Sequence, residues 1–254
     1  MKDLLIIDNL TVSVGTKLLV NRVSFEVGQG KIVAIAGGSG SGKTTIGLSI
    51  LRLLPSALSI EQGSIIFEGR HLLGLSRREM QHYRGKHIGM VFQEPLSAFD
   101  PLFTIGQQMD EVLSVHTPLS GPQRYKKILE VLSEVELPDP LRAYRSYPHQ
   151  LSGGMRQRAM VAQAIVAGPS LIIADEPTSS LDVTLQVKIM ELFKRLRDKN
   201  MSILLIAHDL GMIAHLADEV IILHQGELVE KGEVGKIMSG PKHDYTKALI
   251  EAFQ

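Results

Sequence analysis

Residues 32–45 read IVAIAGGSGSGKTT: five apolar residues run straight into four glycines, one lysine and two threonines. The apolar run has the length and β-branched character of a buried strand, and 46–54 beyond it has helical spacing. Between them stands G-x-x-x-x-G-K-[ST]. Gly37, Gly38, Gly40 and Gly42 let the backbone curl with its N–H groups pointing inward, which makes a nest for an anion. The helix that follows adds the positive end of its dipole. Lys43 brings a point charge suited to β- and γ-phosphates, and Thr44 a hydroxyl suited to Mg²⁺. The whole stretch Gly37, Gly38, Ser39, Gly40, Ser41, Gly42, Lys43, Thr44 and Thr45 is therefore read as a phosphate-binding loop, and a bound nucleoside triphosphate is expected.

The rest of the composition narrows the partners. The 254 residues carry 27 Lys+Arg and 27 Asp+Glu, a formal charge of zero, which lacks the footprint of a nucleic-acid binder. There is no cysteine, so disulfides, thiolate metal sites and iron–sulfur clusters are excluded. The first residues, MKDLLIIDNLTVSV, lack the basic start of a signal peptide, and no apolar run reaches the ~18–20 residues needed to cross a bilayer. Any membrane connection is expected to come through a partner.

Along the chain, 4–14, 23–27, 32–36, 64–67 and 88–92 read as strands punctuated by Gly15 and Gly28-Gln29-Gly30. From 105 to 167 strands vanish and helical spacing takes over, broken by Pro118, Pro122, Pro138, Pro140 and Pro148. After it come a strand at 171–174, a helix at 183–199, a strand at 202–207, a helix at 210–217 and a hairpin through Gln225-Gly226. Alternating strands and helices with buried strands predict an α/β fold with a mainly parallel sheet.

Leu171-Ile172-Ile173-Ala174-Asp175-Glu176 is an apolar strand ending in two carboxylates. In such sheets ligands sit outside the carboxyl ends of the strands, so this tip is expected beside the phosphate loop. Asp175 is placed to hold Mg²⁺ through water, and Glu176 to polarise a water attacking the γ-phosphate. Read without the phosphate loop, the pair would equally be a solvated strand end. The strand 202–207 repeats the design with His208 at its tip, whose imidazole is suited to the γ-phosphate and the attacking water. Gln93 follows the strand ending at Phe92, and its amide oxygen suits Mg²⁺ or that water. Ser152, Gly153 and Gly154 open a helix of their own and form a second phosphate-binding motif. Two such motifs with one catalytic centre imply completion by a partner subunit.

Together these residues resemble the ATP-binding cassette (ABC) ATPases over nearly the whole chain. GGSGSGKTT matches the Walker A motif, Gln93 the Q-loop, LSGGM the signature, LIIADE the Walker B motif with its catalytic Glu176, Ser180-Leu181-Asp182 the D-loop and His208 the switch histidine. The resemblance implies a P-loop NTPase (RecA-like) core over 1–95 and 168–235, with an N-terminal antiparallel β subdomain. It further implies an inserted α-helical subdomain over about 96–167 and a short helical tail at 236–254. It implies ATP and Mg²⁺ as ligands, with Thr44, Gln93 and Asp175 holding the metal and Glu176, His208 and Gln93 serving hydrolysis. In this family two cassettes sandwich two ATPs, each site joining one subunit's Walker motifs to the other's signature, so Ser152, Gly153, Gly154 and Asp182 would serve a partner's nucleotide.

FQEPLSAFDP at 92–101, YPHQ at 147–150 and HDYTKAL at 243–249 resemble the peptide/nickel importer cassettes. That resemblance implies a heterodimer with a second ABC ATPase, two transmembrane permease subunits, an extracytoplasmic solute-binding protein, and a place at the cytoplasmic face of the cell membrane. Two departures stand out. Family members usually carry an aromatic about 29 residues before the Walker lysine, where it stacks on adenine. Here that position is Val14, and the usual signature glutamine is Met155. LSGGM and a chain without a cysteine cluster lean toward nickel or metal–chelate import, with short peptides second. The alternative is a soluble ABC ATPase of the iron–sulfur assembly or repair type.

Overall fold

The structure, a computed structural model, describes residues 3–179 and 181–252. The chain forms two compact units, Met1–Met80 with Phe193–Gln254, and Gln81–Leu192. The units divide at 80/81 and 192/193, whereas the sequence places the helical insertion at about 96–167.

The first unit begins with β1 (Asp3–Val14) and β2 (Lys17–Gly28), joined by a tight turn at Gly15 and paired antiparallel. Their apolar residues fall on one buried face, including Leu5, Ile7, Leu10, Val12, Val23 and Phe25, as half-covered strands require. β3 (Ile32–Gly37) differs: all six residues are buried, so it reads as an unbroken apolar run. The phosphate loop leads from it into α1 (Lys43–Ile50). That helix is shorter than its periodicity predicts, because Arg52 turns left-handed at φ 52°. The N–H of Leu53 then bonds to the Leu48 carbonyl (2.9 Å) and that of Arg52 to Ser49 (3.0 Å), the paired bonds of a Schellman stop. β4 (Leu58–Phe67) and β5 (Arg70–His71) complete a four-stranded antiparallel sheet, order β2-β1-β4-β5. α2 (Arg77–Tyr83), a helix the sequence pattern does not announce, carries the chain out of this unit.

The second unit pairs two parallel strands, β6 (Ile88–Val91) and, much later, β7 (Leu171–Asp175), in the register Ile88↔Leu171 to Val91↔Ala174. Between them run α3 (Pro95–Ala98), α4 (Ile105–His116), α5 (Gly121–Glu134), α6 (Pro140–Arg145) and α7 (Gly153–Ile165). Local chemistry starts each main helix. Thr104 and Gln107 form a capping box on α4, Ser120 and Gln123 one on α5, and Asp139 caps α6 with Pro140 in its first turn. α8 (Val183–Asp198) returns the chain to the first unit.

There β8 (Ser202–Ile206) pairs parallel to one side of β3 and β9 (Glu219–His224) to the other. α9 (Leu210–Leu216) lies between them in sequence. β10 (Glu227–Glu233) folds back on β9 through the predicted Gln225-Gly226 turn, giving the local order β10-β9-β3-β8. Two short helices follow, α10 (Val234–Ser239) and α11 (Asp244–Glu251). Among the described residues no helix is long and apolar enough to cross a membrane.

Candidate functional site

The phosphate loop is built as its residue types require. Gly42, the residue before α1, sits at φ 99°, and no side chain caps the helix start. A Cβ on Gly42 would lie 2.6 Å from the Leu19 carbonyl oxygen, and one on Gly37 (φ 154°) would collide with that of Leu223. Neighbouring strands therefore press on the loop so closely that only glycine fits. Lys43 is 6% exposed, and its Nζ donates to the carbonyls of Gly37 (2.8 Å) and Gly38 (2.9 Å). Ser41 is buried with a hydroxyl that has no hydrogen-bond partner. Thr44, in the first turn, is exposed. A glycine cradle, a helix start without a side-chain cap, a buried lysine and an unsatisfied hydroxyl fit a triphosphate.

His208 follows β8. Ile35 pairs with Ile206, and the next N–H, of Ala207, donates to the Ile35 carbonyl (3.1 Å). The imidazole thus emerges, exposed, at the level where β3 gives way to the loop. Val14 ends β1 opposite Lys17 and is 36% exposed.

In the second unit the β6–β7 register ends both strands at the same height. Residues two beyond each last pair meet: Gln93 Nε2 donates to Glu176 Oε2 at 3.0 Å. Asp175, the last residue of β7, is buried at 4% exposure, while Glu176 is half-buried. Glu176 takes φ 44°, a left-handed turn that costs a non-glycine residue about 1–2 kcal/mol and swings its side chain off the strand line.

The signature segment starts α7. Ser152 caps it, its hydroxyl accepting from the Met155 N–H (3.4 Å), and Ser152 and Gly153 are exposed. Gly154 has a packing reason as well: a Cβ there would meet Leu185 of α8 at 2.7 Å. Asp182 caps α8 by accepting from the Leu185 N–H (2.9 Å), and Gln186 Nε2 donates to the carbonyls of Thr178 and Leu181. Ser180 of the D-loop motif lies outside the described residues.

Sequence reasoning passed over Gln157. It is 1% exposed, and its Nε2 donates to the Pro177 carbonyl (2.6 Å), tying α7 to the residue after Glu176. Its burial comes from the tertiary fold, and residue order alone carries no sign of it.

Comparisons with known proteins show the family. A family model described as ABC transporter matches residues 20–179. The oligopeptide transport ATP-binding protein OppD of Bacillus subtilis is 43% identical over 233 residues, 91% of this chain and 65% of that protein. The dipeptide transport ATP-binding protein DppD of the same organism is 43% identical over 256 residues, 98% of this chain and 76% of that protein. The chain thus spans just under two-thirds of its oligopeptide relative. A solved structure of the cassette MJ0796, a post-hydrolysis dimer bound to ADP and Pi, matches with a TM-score of 0.81 at 29% identity, covering 91% of this chain and 98% of that one. The family model spans more than half of the chain, and this chain belongs to the ABC transporter family.

Proposed function

We propose that this chain is an ATPase subunit that energises uptake of a small solute, short peptides first, through membrane permease subunits. The observation that carries the hydrolytic part is the Gln93–Glu176 bond at the tip of β6 and β7. It holds a carboxylate by its neighbour's amide, the arrangement expected of a group that orients water. In this reading the Gly37–Thr45 loop binds the triphosphate, and Lys43, held by the Gly37 and Gly38 carbonyls, turns its remaining donor to the β/γ-phosphates. Glu176 takes the water's proton, and His208 steadies the γ-phosphate. Thr44, Asp175 and Gln93 are the residues proposed to hold Mg²⁺; all three offer oxygen ligands, the hard donors this ion selects. The ion would neutralise charge on the phosphates.

Ser152, Gly153, Gly154 and Asp182 are proposed to complete the nucleotide site of a second, non-identical cassette, and the pair to dock on two permease subunits at the cytoplasmic membrane face. The helix start at Ser152 is exposed, as a surface awaiting a partner's phosphate must be. Val14 offers an aliphatic contact where the family has an aromatic ring, so base stacking is weaker and the loop carries more of the affinity.

The lean toward nickel drew on Met155 and the lack of cysteine. The similar proteins reported above are named for oligopeptide and dipeptide transport. Short peptides are therefore proposed ahead of a metal chelate. The test is co-purification with the permease subunits followed by ATPase assay. Wild type hydrolyses ATP, and Glu176→Gln lowers kcat by about 10²-fold or more while ATP still binds. Normal turnover by Glu176→Gln would remove the catalytic assignment, and recovery without permeases would favour a soluble cassette.

A further inference from the structure

The stretch HDYTKAL at 243–249 has no role in the chemistry above, yet it reaches the phosphate loop. Tyr245, in the first turn of α11, accepts a hydrogen bond through its hydroxyl from the Gly38 N–H at 2.8 Å. Its ring packs on His224 at the end of β9, centroids 3.9 Å apart and tilted 31°. Several bonds set this placement. The Glu230 carboxylate of β10 accepts from the N–H groups of Lys242 (2.9 Å) and His243 (3.1 Å). His243 Nδ1 then caps α11 by accepting from the Tyr245 N–H (3.1 Å). The hydroxyl is thus delivered by a helix fastened to the hairpin that flanks β3.

The bond falls on an informative peptide. The Gly38 N–H belongs to the Gly37–Gly38 unit, whose carbonyl accepts from Lys43 Nζ at 2.8 Å. One peptide plane is therefore gripped from two sides, by Tyr245 at its N–H and by the Walker lysine at its C=O. A peptide between two glycines lacks the Cβ atoms that resist rotation, so it is the link most free to turn over. Turning it would break both bonds and remove one of the two carbonyls on which Lys43 rests. The fit is close, since a Cβ on Gly38 would lie 3.2 Å from the Tyr245 oxygen.

We infer that Tyr245 is a positioning residue for the phosphate loop: its hydroxyl locks the Gly37–Gly38 peptide in the orientation that seats Lys43, so that docking of α11 and binding of a nucleoside triphosphate favour each other. This rests on reading the loop as a triphosphate site. The physical link is entropic. A loop held in one peptide orientation before the ligand arrives has less freedom to lose on binding. By reciprocity, a bound triphosphate then holds α11 more firmly on the loop.

Three full-length proteins test this by titration with a fluorescent ATP analogue and competing ATP. Tyr245→Phe keeps the ring on His224 and removes only the acceptor; it should raise the ATP Kd by about three- to tenfold, the worth of one hydrogen bond. In the assembled ATPase it should raise KM by a similar factor while kcat at saturating ATP holds. Lys43→Ala should abolish analogue binding. Hydrogen exchange at 243–251 should slow on adding ATP to wild type but not to Tyr245→Phe.

Unchanged Kd in Tyr245→Phe, or exchange at 243–251 indifferent to ATP in wild type, overturns the inference and leaves the triphosphate reading intact. Analogue binding by Lys43→Ala as tight as wild type overturns the reading of the loop itself. A fall in kcat with KM unchanged would place Tyr245 in the chemical step and also overturns the positioning role.

Discussion

Two helices in this molecule begin at glycine-rich segments, and they begin in opposite ways. At α1 no side chain caps the first turn, the residue before it is a left-handed glycine, and the lysine that follows is buried against loop carbonyls. At α7 the first turn is capped internally by Ser152, and the segment stands exposed. The first start leaves its N–H groups to an anion within a cradle fixed by neighbouring strands. The second has one N–H held by its own serine and presents the rest of its first turn outward. A helix N-terminus is an anion site by its dipole alone, but whether it is complete depends on what surrounds it.

Substitutions can break or sharpen that contrast. Gly37→Ala should have the largest effect, because its Cβ meets a strand carbonyl rather than a side chain that can yield. Loss of triphosphate binding and about 3 kcal/mol of stability are expected, read by analogue titration and thermal melting. Retention of both would mean that the cradle is softer than its strands imply. Ser152→Ala should be mild in the isolated chain, roughly 0.5–1 kcal/mol for a long cap bond, yet should impair ATPase activity of the paired cassette far more. Equal, small effects in both settings would reduce this serine to a cap.

The smallest effect concerns the strap on the first site. Burial pushes the Glu230 carboxyl up, but hydrogen bonds from the N–H groups of Lys242 and His243 outweigh it and hold it below the usual glutamate range. A lowered pKa adds stability above the ordinary value and loses it as pH falls through the folded one. Docking of α11 should therefore persist through the ordinary glutamate range near ~4.3 and loosen only below it. Limited proteolysis near 242–252 across pH 3–6 would show this; release near pH 5 would contradict it.

The local features of both starts are legible in residue order. Four glycines, a lysine and a threonine after five buried apolar residues announce the nest, and Ser-Gly-Gly before a helical pattern announces the cap. The partnership of Gln93 with Glu176 is not legible in the same way. The two stand 83 positions apart, and only the parallel register of β6 and β7 puts them within 3.0 Å. Gln157 and Tyr245 escape for a related reason: each acts on a carbonyl or N–H of a distant segment, and backbone groups carry no sequence signal.

Sequence by itself determined the chemistry available: which residues can wrap a phosphate, carry a charge to it or take a proton, and that strands and helices alternate around them. Those are properties of residue type and short-range spacing. Tertiary structure alone decided which glycine is pressed by which strand, which amide steadies Glu176, and that a tyrosine two hundred residues downstream grips the peptide on which Lys43 rests. Such contacts depend on long-range pairing and on backbone direction, neither of which is written in any local run of side chains.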